Sequence, residues 1–237
     1  MKKNLILSLF FITVLSLQGV EAQSSIGNLK PKIALKAGVF SPNYRYRQVL
    51  DFSANVKSNI GIWTGLSFWF PISEYVVPFV EISYEQSSSQ FNYSLVKQNQ
   101  YRYNGTNRLS YTTISLVPNF VIPVGNTKIN LYIGPHFSVL NGYYEKGTES
   151  NIFYNEDEQS ETKIEIEIDG KSNNKTESLN TGIIAGFGVE YPLNQTWNLK
   201  ADARLMSGSA VISHYFKYSY WGFNIGVSAP ISELFKK

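Results

Sequence analysis

The stretch that decides the fold is residues 111–140, YTTISLVPNFVIPVGNTKINLYIGPHFSVL. Apolar side chains recur there at every second position on both sides of a short turn, residues 123–127. The apolar positions are Ile114, Leu116, Pro118, Phe120 and Ile122, then Ile129, Leu131, Ile133, Pro135, Phe137 and Val139. Since successive side chains of a strand point to opposite faces, the pattern predicts a β-hairpin with one apolar face. Each arm has about ten residues, the length that a tilted strand needs to cross a bilayer.

The same alternation occurs in six further segments, which brings the number of predicted strands to eight. The segments are residues 32–40, 60–70, 76–85, 181–191, 197–206 and 218–230. Long and short connections alternate between the strands, as they do in barrels with short periplasmic turns and long extracellular loops. The sequence therefore predicts an all-β fold, an eight-stranded antiparallel up-and-down transmembrane β-barrel.

The charged residues of these segments all lie opposite the apolar positions. Six of them, Lys36, Glu81, Glu190, Lys200, Asp202 and Arg204, form the set that we name the lumen charge cluster. A Lys or Arg facing the lipid midplane costs roughly 2–4 kcal/mol, whereas inside a barrel it can be paired. A soluble binding barrel would have the reverse arrangement. Because eight strands enclose only enough space for their own side chains, we expect a structural salt-bridge plug, with a gated polar channel as the alternative.

The first 22 residues have the features of a secretory signal peptide. Lys2 and Lys3 precede an apolar run at residues 5–17, and small residues precede Gln23. The expected division is therefore a signal peptide at 1–22 and an outer-membrane barrel domain at 23–237. The chain has no cysteine, which excludes a lipoprotein anchor and disulfides. The expected location is the outer membrane of a Gram-negative envelope.

The connection at residues 141–180 is predicted to be a long extracellular loop, and it holds ten of the chain's 18 acidic residues beside four lysines. Residues 163–169 alternate strictly between apolar and charged, which predicts a projecting strand that pairs with residues 151–154. Two functional readings are a partner-binding hairpin and a divalent-cation site bridging to lipopolysaccharide, and the alternative is a solvated loop. The candidate partner-binding residues are Glu156, Asp157, Glu158, Glu165, Glu167 and Asp169.

Little in the sequence indicates catalysis or metal binding. His136 lies in the inward register, and we expect a polar plug residue bonded to Asn119 or Glu190 rather than a catalytic base. Two histidines and no cysteine leave little for a transition-metal site. We therefore expect no catalytic residue, no metal and no cofactor.

Four stretches of the sequence resemble the PorT-like outer-membrane barrel domains of Bacteroidetes. They are residues 111–120, Tyr132-Ile133-Gly134-Pro135, residues 182–191 (GIIAGFGVEY) and residues 197–204. The resemblance extends over nearly the whole chain after residue 22. It implies an eight-stranded outer-membrane barrel in a family of which some members assist protein secretion or gliding, and it carries over no catalytic residue.

The predicted function is a non-enzymatic structural or accessory role in envelope biogenesis or protein secretion, exerted through loop-mediated protein contacts. The alternatives are a small lipid-modifying enzyme with His136 as the base, and a narrow pore. The expected partners are outer-membrane lipid or lipopolysaccharide and an envelope or secretion protein. We expect no nucleic-acid partner and a monomeric barrel.

Overall fold

A computed structural model describes residues 29–46, 52–95, 99–155, 160–171, 179–211 and 216–234. The predicted signal peptide, residues 1–22, lies outside the described residues. The described elements are β1 (Lys32–Tyr46), β2 (Phe52–Ser58), β3 (Gly61–Trp69), β4 (Phe79–Leu95), β5 (Asn99–Val117), β6 (Asn119–Val124), β7 (Thr127–Asn155), β8 (Ser160–Lys171), β9 (Leu179–Pro192), β10 (Asn198–Val211), β11 (Phe216–Pro230) and α1 (Ile231–Leu234). No helix among these residues is long and apolar enough to span a membrane.

The described strands close into an eight-stranded antiparallel up-and-down barrel, as the sequence predicts. Each wall strand is bonded to two neighbours in the cyclic order β1, β3, β4, β5, β7, β9, β10 and β11, and β11 returns to β1. The strand β6 continues β5, because Ser115 pairs with His136 and Asn119 pairs with Tyr132 in one unbroken register. Pro118 separates the two strands since it has no N–H to give to the ladder. Closure removes the open edges that a membrane would leave unpaired.

The predicted apolar register faces outward along the wall. Leu35, Ile133 and Phe223 are more than half exposed, which in a closed barrel of this kind means contact with lipid. The opposite register is buried. The inward and outward assignment of the sequence is therefore confirmed.

Short turns gather at one end of the barrel. The turn between β6 and β7 consists of Gly125 and Asn126, and Gly125 has a φ of 58°, a conformation that favours glycine. At the opposite end the strands run far beyond the wall. The strands β4, β5 and β7 have 17, 19 and 29 residues, whereas about 9–11 suffice for one crossing.

These extended strands lie within the long connections that the sequence predicts after residue 85 and after residue 140. Within the expected loop 86–110, β4 and β5 stay paired until Leu95 meets Tyr101. Within the expected loop 141–180, β7 continues to Asn155 and β8 folds back against it. The sequence predicted the strand at 163–169 but not the long paired ends of β4, β5 and β7, because the apolar face ends where the lipid ends, whereas ladder hydrogen bonds continue without it. We name β2, β8 and the far ends of β4, β5 and β7 the distal sheet.

Candidate functional site

The lumen charge cluster lies inside the barrel, with each of its six residues at most 6% exposed. It joins strands that are not neighbours in the wall, since Glu81 is on β4 and Arg204 is on β10. Lys36 Nζ lies 2.8 Å from Glu81 Oε2 and 3.4 Å from Asp202 Oδ2. Arg204 Nη1 donates to Glu81 Oε1 over 2.7 Å. Two cations thus meet two carboxylates, and the group carries no formal net charge.

A second group of charges lies nearer the short-turn end. Lys200 Nζ is 2.7 Å from Glu190 Oε2, and Lys32 Nζ is 2.5 Å from Glu190 Oε1. Lys32 is absent from the sequence-derived cluster although it occupies the same inward register as Lys36. The two-residue period could have revealed it.

Aromatic rings cover the buried cations. The Arg204 guanidinium carbon lies 4.1 Å from the centre of the Trp63 ring, and Lys200 Nζ lies 3.3 Å from that of Trp69. Such contacts favour a desolvated cation because the ring face is electron-rich. Trp69 in turn stacks on Phe79 with ring centres 4.3 Å apart.

Glu85 is a further buried acid that the sequence reading missed, although it follows Glu81 and Ser83 in the inward register. It is 1% exposed, and the Tyr220 hydroxyl donates to its Oε1 over 2.9 Å. Around this pair lies a cluster of buried apolar and aromatic side chains, which we name the aromatic plug. Its members are Phe40, Trp63, Phe91, Tyr103, Leu109, Tyr111, Tyr143, Met206 and Tyr220.

The lumen is narrow at this level. The cavity bordered by Phe40, Trp63, Arg204 and Tyr220 has about 10 Å³, roughly the space of one water molecule. At the short-turn end a wider cavity of about 390 Å³ is lined by Lys32 and Trp69 among others. Among the described residues the lumen is therefore wide at its short-turn mouth and narrow between Trp63, Arg204 and Tyr220.

Inward glycines make room for these side chains. A Cβ at Gly186 would lie 2.5 Å from the Tyr132 ring, and one at Gly188 would lie 2.2 Å from Asp202 Oδ1. The small residues at 186 and 188 thus accommodate bulky neighbours, and they form no nucleotide-binding loop since both lie within β9.

His136 is fully buried, and its partners differ from those expected. Its Nδ1 lies 3.3 Å from Ser138 Oγ and its Nε2 lies 3.3 Å from the Ser207 carbonyl oxygen. The expected bond to Asn119 or Glu190 is wrong, because Asn119 donates to Asn130 instead and Glu190 meets the two lysines. The imidazole is enclosed by the described residues, with 0% of His136 exposed.

No group of three or more His, Cys, Asp or Glu side chains that could hold a metal ion occurs among the described residues. The acidic residues of the distal sheet are divided between β7, with Glu145 and Glu149, and β8, with Glu165, Glu167 and Asp169.

The second region is the outer hairpin of the distal sheet. The predicted pairing is confirmed, with Asn151 opposite Ile164 and Ile152 opposite Lys163. Glu156, Asp157 and Glu158 lie outside the described residues. The remaining candidates, Glu165, Glu167 and Asp169, are exposed on one face of β8.

Asp169 on this face accepts an ion pair and a hydrogen bond from the neighbouring strand β7. Lys146 Nζ lies 3.1 Å from Asp169 Oδ2, and the Tyr144 hydroxyl donates to the same carboxylate. The hydrogen bonds from Tyr144 and Lys146 lower the pKa of Asp169 below its usual value. The bond to Asp169 likewise raises the pKa of Tyr144 and that of Lys146.

The other face of β8 is apolar. Ile168 packs against the aromatic plug, whereas Ile164 and Ile166 remain 46% and 48% exposed. The strand thus has an acidic side and an isoleucine side, as the alternation in the sequence requires.

Comparison with known proteins gives similarities of structure. No family model matches the chain, and no curated protein sequence is significantly similar to it. Among solved structures, the outer membrane protein OprG from Pseudomonas aeruginosa is 11% identical with a TM-score of 0.46, covering 84% of this chain and 95% of that one. Ail of Yersinia pestis is 10% identical with a TM-score of 0.39 over 84% and 99%, and Neisserial surface protein A is 12% identical with 0.39 over 84% and 97%.

Proposed function

We propose that this chain is a non-enzymatic outer-membrane barrel that holds the distal sheet outside the cell, where the sheet contacts another protein of the envelope or secretion machinery. The length of β7 is the observation that carries the proposal. Its 29 residues exceed the crossing length by about 18, and all of the excess extends one paired sheet beyond the membrane. A barrel with only an anchoring role has no physical need of that extension.

The narrow lumen supports this choice over a pore. The charges of the lumen charge cluster are paired, and the cavity beside Arg204 has room for about one water. The buried position of His136 supports it over a lipid-modifying enzyme. The function is therefore assigned to the outside of the molecule rather than to its interior.

The proposal includes an outer-membrane location in a Gram-negative envelope, a cleaved signal peptide at 1–22 and membership of the PorT-like barrels of Bacteroidetes. The residue patterns at 132–135 and 182–191 support the family assignment. The proposed partners are outer-membrane lipid around the wall and one envelope or secretion protein at the distal sheet, with a monomeric barrel and no nucleic acid.

Site-specific photocrosslinking in cells tests the proposal. A photoreactive side chain at Glu167, exposed on β8, is expected to give one discrete crosslinked protein, and one at Glu74, exposed in a short turn, is the matched control. Deletion of residues 149–175 should abolish the same partner in a pull-down while the barrel still folds and inserts. An unchanged set of co-purifying proteins after the deletion would overturn the proposal.

Two further assays address the alternatives. Steady single-channel conductance in planar bilayers would establish a pore in place of the accessory role. A change in lipid A on expression that disappears with His136→Ala would establish an enzyme.

A further inference from the structure

The strand β8 has a partner on one edge only. All twelve of its residues pair with β7, and the described residues place no strand against its other edge. In an antiparallel pair about half of the N–H and C=O groups point away from the partner strand. The outer edge of β8 is thus a row of backbone groups facing water, which is the template that an added strand uses.

The side chains along this edge define the chemistry of a complementary strand. On one face lie the half-exposed Ile164 and Ile166, and on the other lie Glu165, Glu167 and Asp169. Residues directly opposite each other in neighbouring strands lie side by side, so apolar side chains suit the first face and basic side chains suit the second.

The acidic side chains of β8 differ in whether a lysine of the same chain forms an ion pair with them. Lys163 pairs with Glu165, and Lys146 pairs with Asp169. Within the described part of the chain, Glu167 has no ion pair. It is therefore the acid on which an incoming cation would act most strongly.

We infer that β8 binds an extended segment of a partner protein as an added β-strand, and that this segment alternates apolar and basic residues. The inference rests on the proposed function and names the mode and chemistry of its contact. Residues 141–180 carry a net charge of −6, from ten acids and four lysines, which attracts a basic segment from a distance.

The charges disfavour a second copy of this chain as the occupant. A two-fold pairing of two β8 strands centred on Ile166 would place Glu165 of one copy opposite Glu167 of the other and Lys163 opposite Asp169. Like charges directly opposite one another destabilise such a pair. Each strand brings a net charge of −2, from four acids and two lysines, so repulsion between the copies exceeds attraction.

The test uses the full chain in detergent micelles and a short fluorescent peptide of alternating lysine and valine, with binding followed by anisotropy. A peptide of the same composition with its lysines in one block should bind more weakly, because it cannot place lysine and valine on opposite faces. Glu167→Lys should raise Kd about tenfold or more since it sets like charges against each other, whereas Glu74→Lys, with the same charge change, should leave Kd unchanged.

Two further peptides separate strand pairing from charge attraction. Each is N-methylated at alternate amides, one at the odd and one at the even positions, so that each lacks the donors of one edge. Strand addition predicts that one loses binding and the other keeps it. Equal binding of both peptides, or equal binding of the block peptide, would overturn the inference.

The remaining outcomes are also decisive. If the full chain forms a dimer and Glu167→Lys dissociates that dimer, the strand added to β8 belongs to a second copy rather than to a basic partner, and the inference is overturned. If the alternating peptide does not bind but deletion of residues 149–175 still removes the cellular partner, strand addition is wrong and the proposed function stands. If the peptide binds as expected but the deletion leaves the cellular partners unchanged, strand addition stands and the proposed function is wrong.

Discussion

The lumen and the distal sheet are built largely from the same strands and carry the same kinds of charged residue, but the charges are buried in the lumen and exposed to water in the distal sheet. In the lumen Lys36 and Glu81 are almost fully buried and lie 2.8 Å apart. In the distal sheet Lys163 and Glu165 also form a pair, but each keeps more than half of its side chain in water. Removing a charge from water is costly unless an ion pair or a hydrogen bond compensates it, so an acid in the lumen needs a partner such as Lys36 or the Tyr220 hydroxyl, whereas an exposed acid does not.

The two regions therefore suit different tasks. The pairs between Glu81 on β4 and Arg204 on β10 connect opposite parts of the wall and fix the barrel. The charges of the distal sheet fix little and remain available to a partner. Three measurements would break or sharpen this contrast.

The largest effect is expected from Arg204→Met. It removes one of the two cations that neutralise Glu81, and breaking a buried pair in this way should lower the free energy of unfolding by about 3–5 kcal/mol. Lys163→Met removes the cation of an exposed pair and should change it little. Urea unfolding of the chain in lipid vesicles, followed by tryptophan fluorescence, measures both. Adding Glu81→Gln to Arg204→Met should restore part of the loss, and equal effects of the two single variants would contradict the contrast.

An intermediate effect is expected from arginine substitutions at two isoleucines of similar exposure. Ile225 on the wall is 53% exposed and Ile166 on β8 is 48% exposed. Ile225→Arg should cost about 2–4 kcal/mol because it places a charge in lipid. Ile166→Arg should cost far less because its surroundings are water. The same unfolding measurement applies, and a similar loss at both positions would mean that the wall does not face acyl chains.

The smallest effect concerns the pH dependence of the contact between Tyr144 and Asp169. Since the pKa of Asp169 is lowered in the folded chain, the contact stabilises the hairpin above the ordinary Asp value near 3.9 and is lost as pH falls through the lowered value. A carboxyl carbon NMR titration of Asp169 should give a midpoint below that ordinary value. Tyr144→Phe should raise the midpoint, whereas Tyr84→Phe on the lipid face should not. An unchanged midpoint of the Asp169 titration in Tyr144→Phe would show that the Tyr144 hydroxyl does not bond to Asp169 in solution.

Much of the fold follows from the sequence because a transmembrane strand must alternate. An apolar residue at every second position, with charges confined to the other register, sufficed to orient Leu35 outward and Lys36 inward. The projecting strand at residues 163–169 was predictable because it alternates too, between isoleucine and charged residues. The lengths of β4, β5 and β7 were not, because beyond the lipid their outward face is polar and only scattered inward residues such as Phe91 and Tyr103 are apolar, while the hydrogen-bonded ladder continues.

The candidate site was predictable as a set of residues but not as a set of contacts. The inward register identifies which charges are enclosed, and it would have added Lys32 and Glu85 had it been applied to every position. It gives no information on partners across the lumen. For this reason the predicted hydrogen bonds of His136 were wrong. Its actual neighbours, Ser138 and Ser207, are uncharged, and the inward register does not distinguish them from other polar residues.

The barrel wall, with lipid on one side and enclosed charge on the other, follows from the sequence alone. The two-residue period and the cost of a charge in lipid each depend on a single strand and its surroundings, so no long-range contact is needed to predict them. The contacts of Glu81 with Arg204 and Lys36, the bond from Tyr220 to Glu85, and the single partner of β8 among the described strands are known from the tertiary structure alone. These features depend on how the strands are staggered when the sheet closes, and that stagger is a property of the whole barrel.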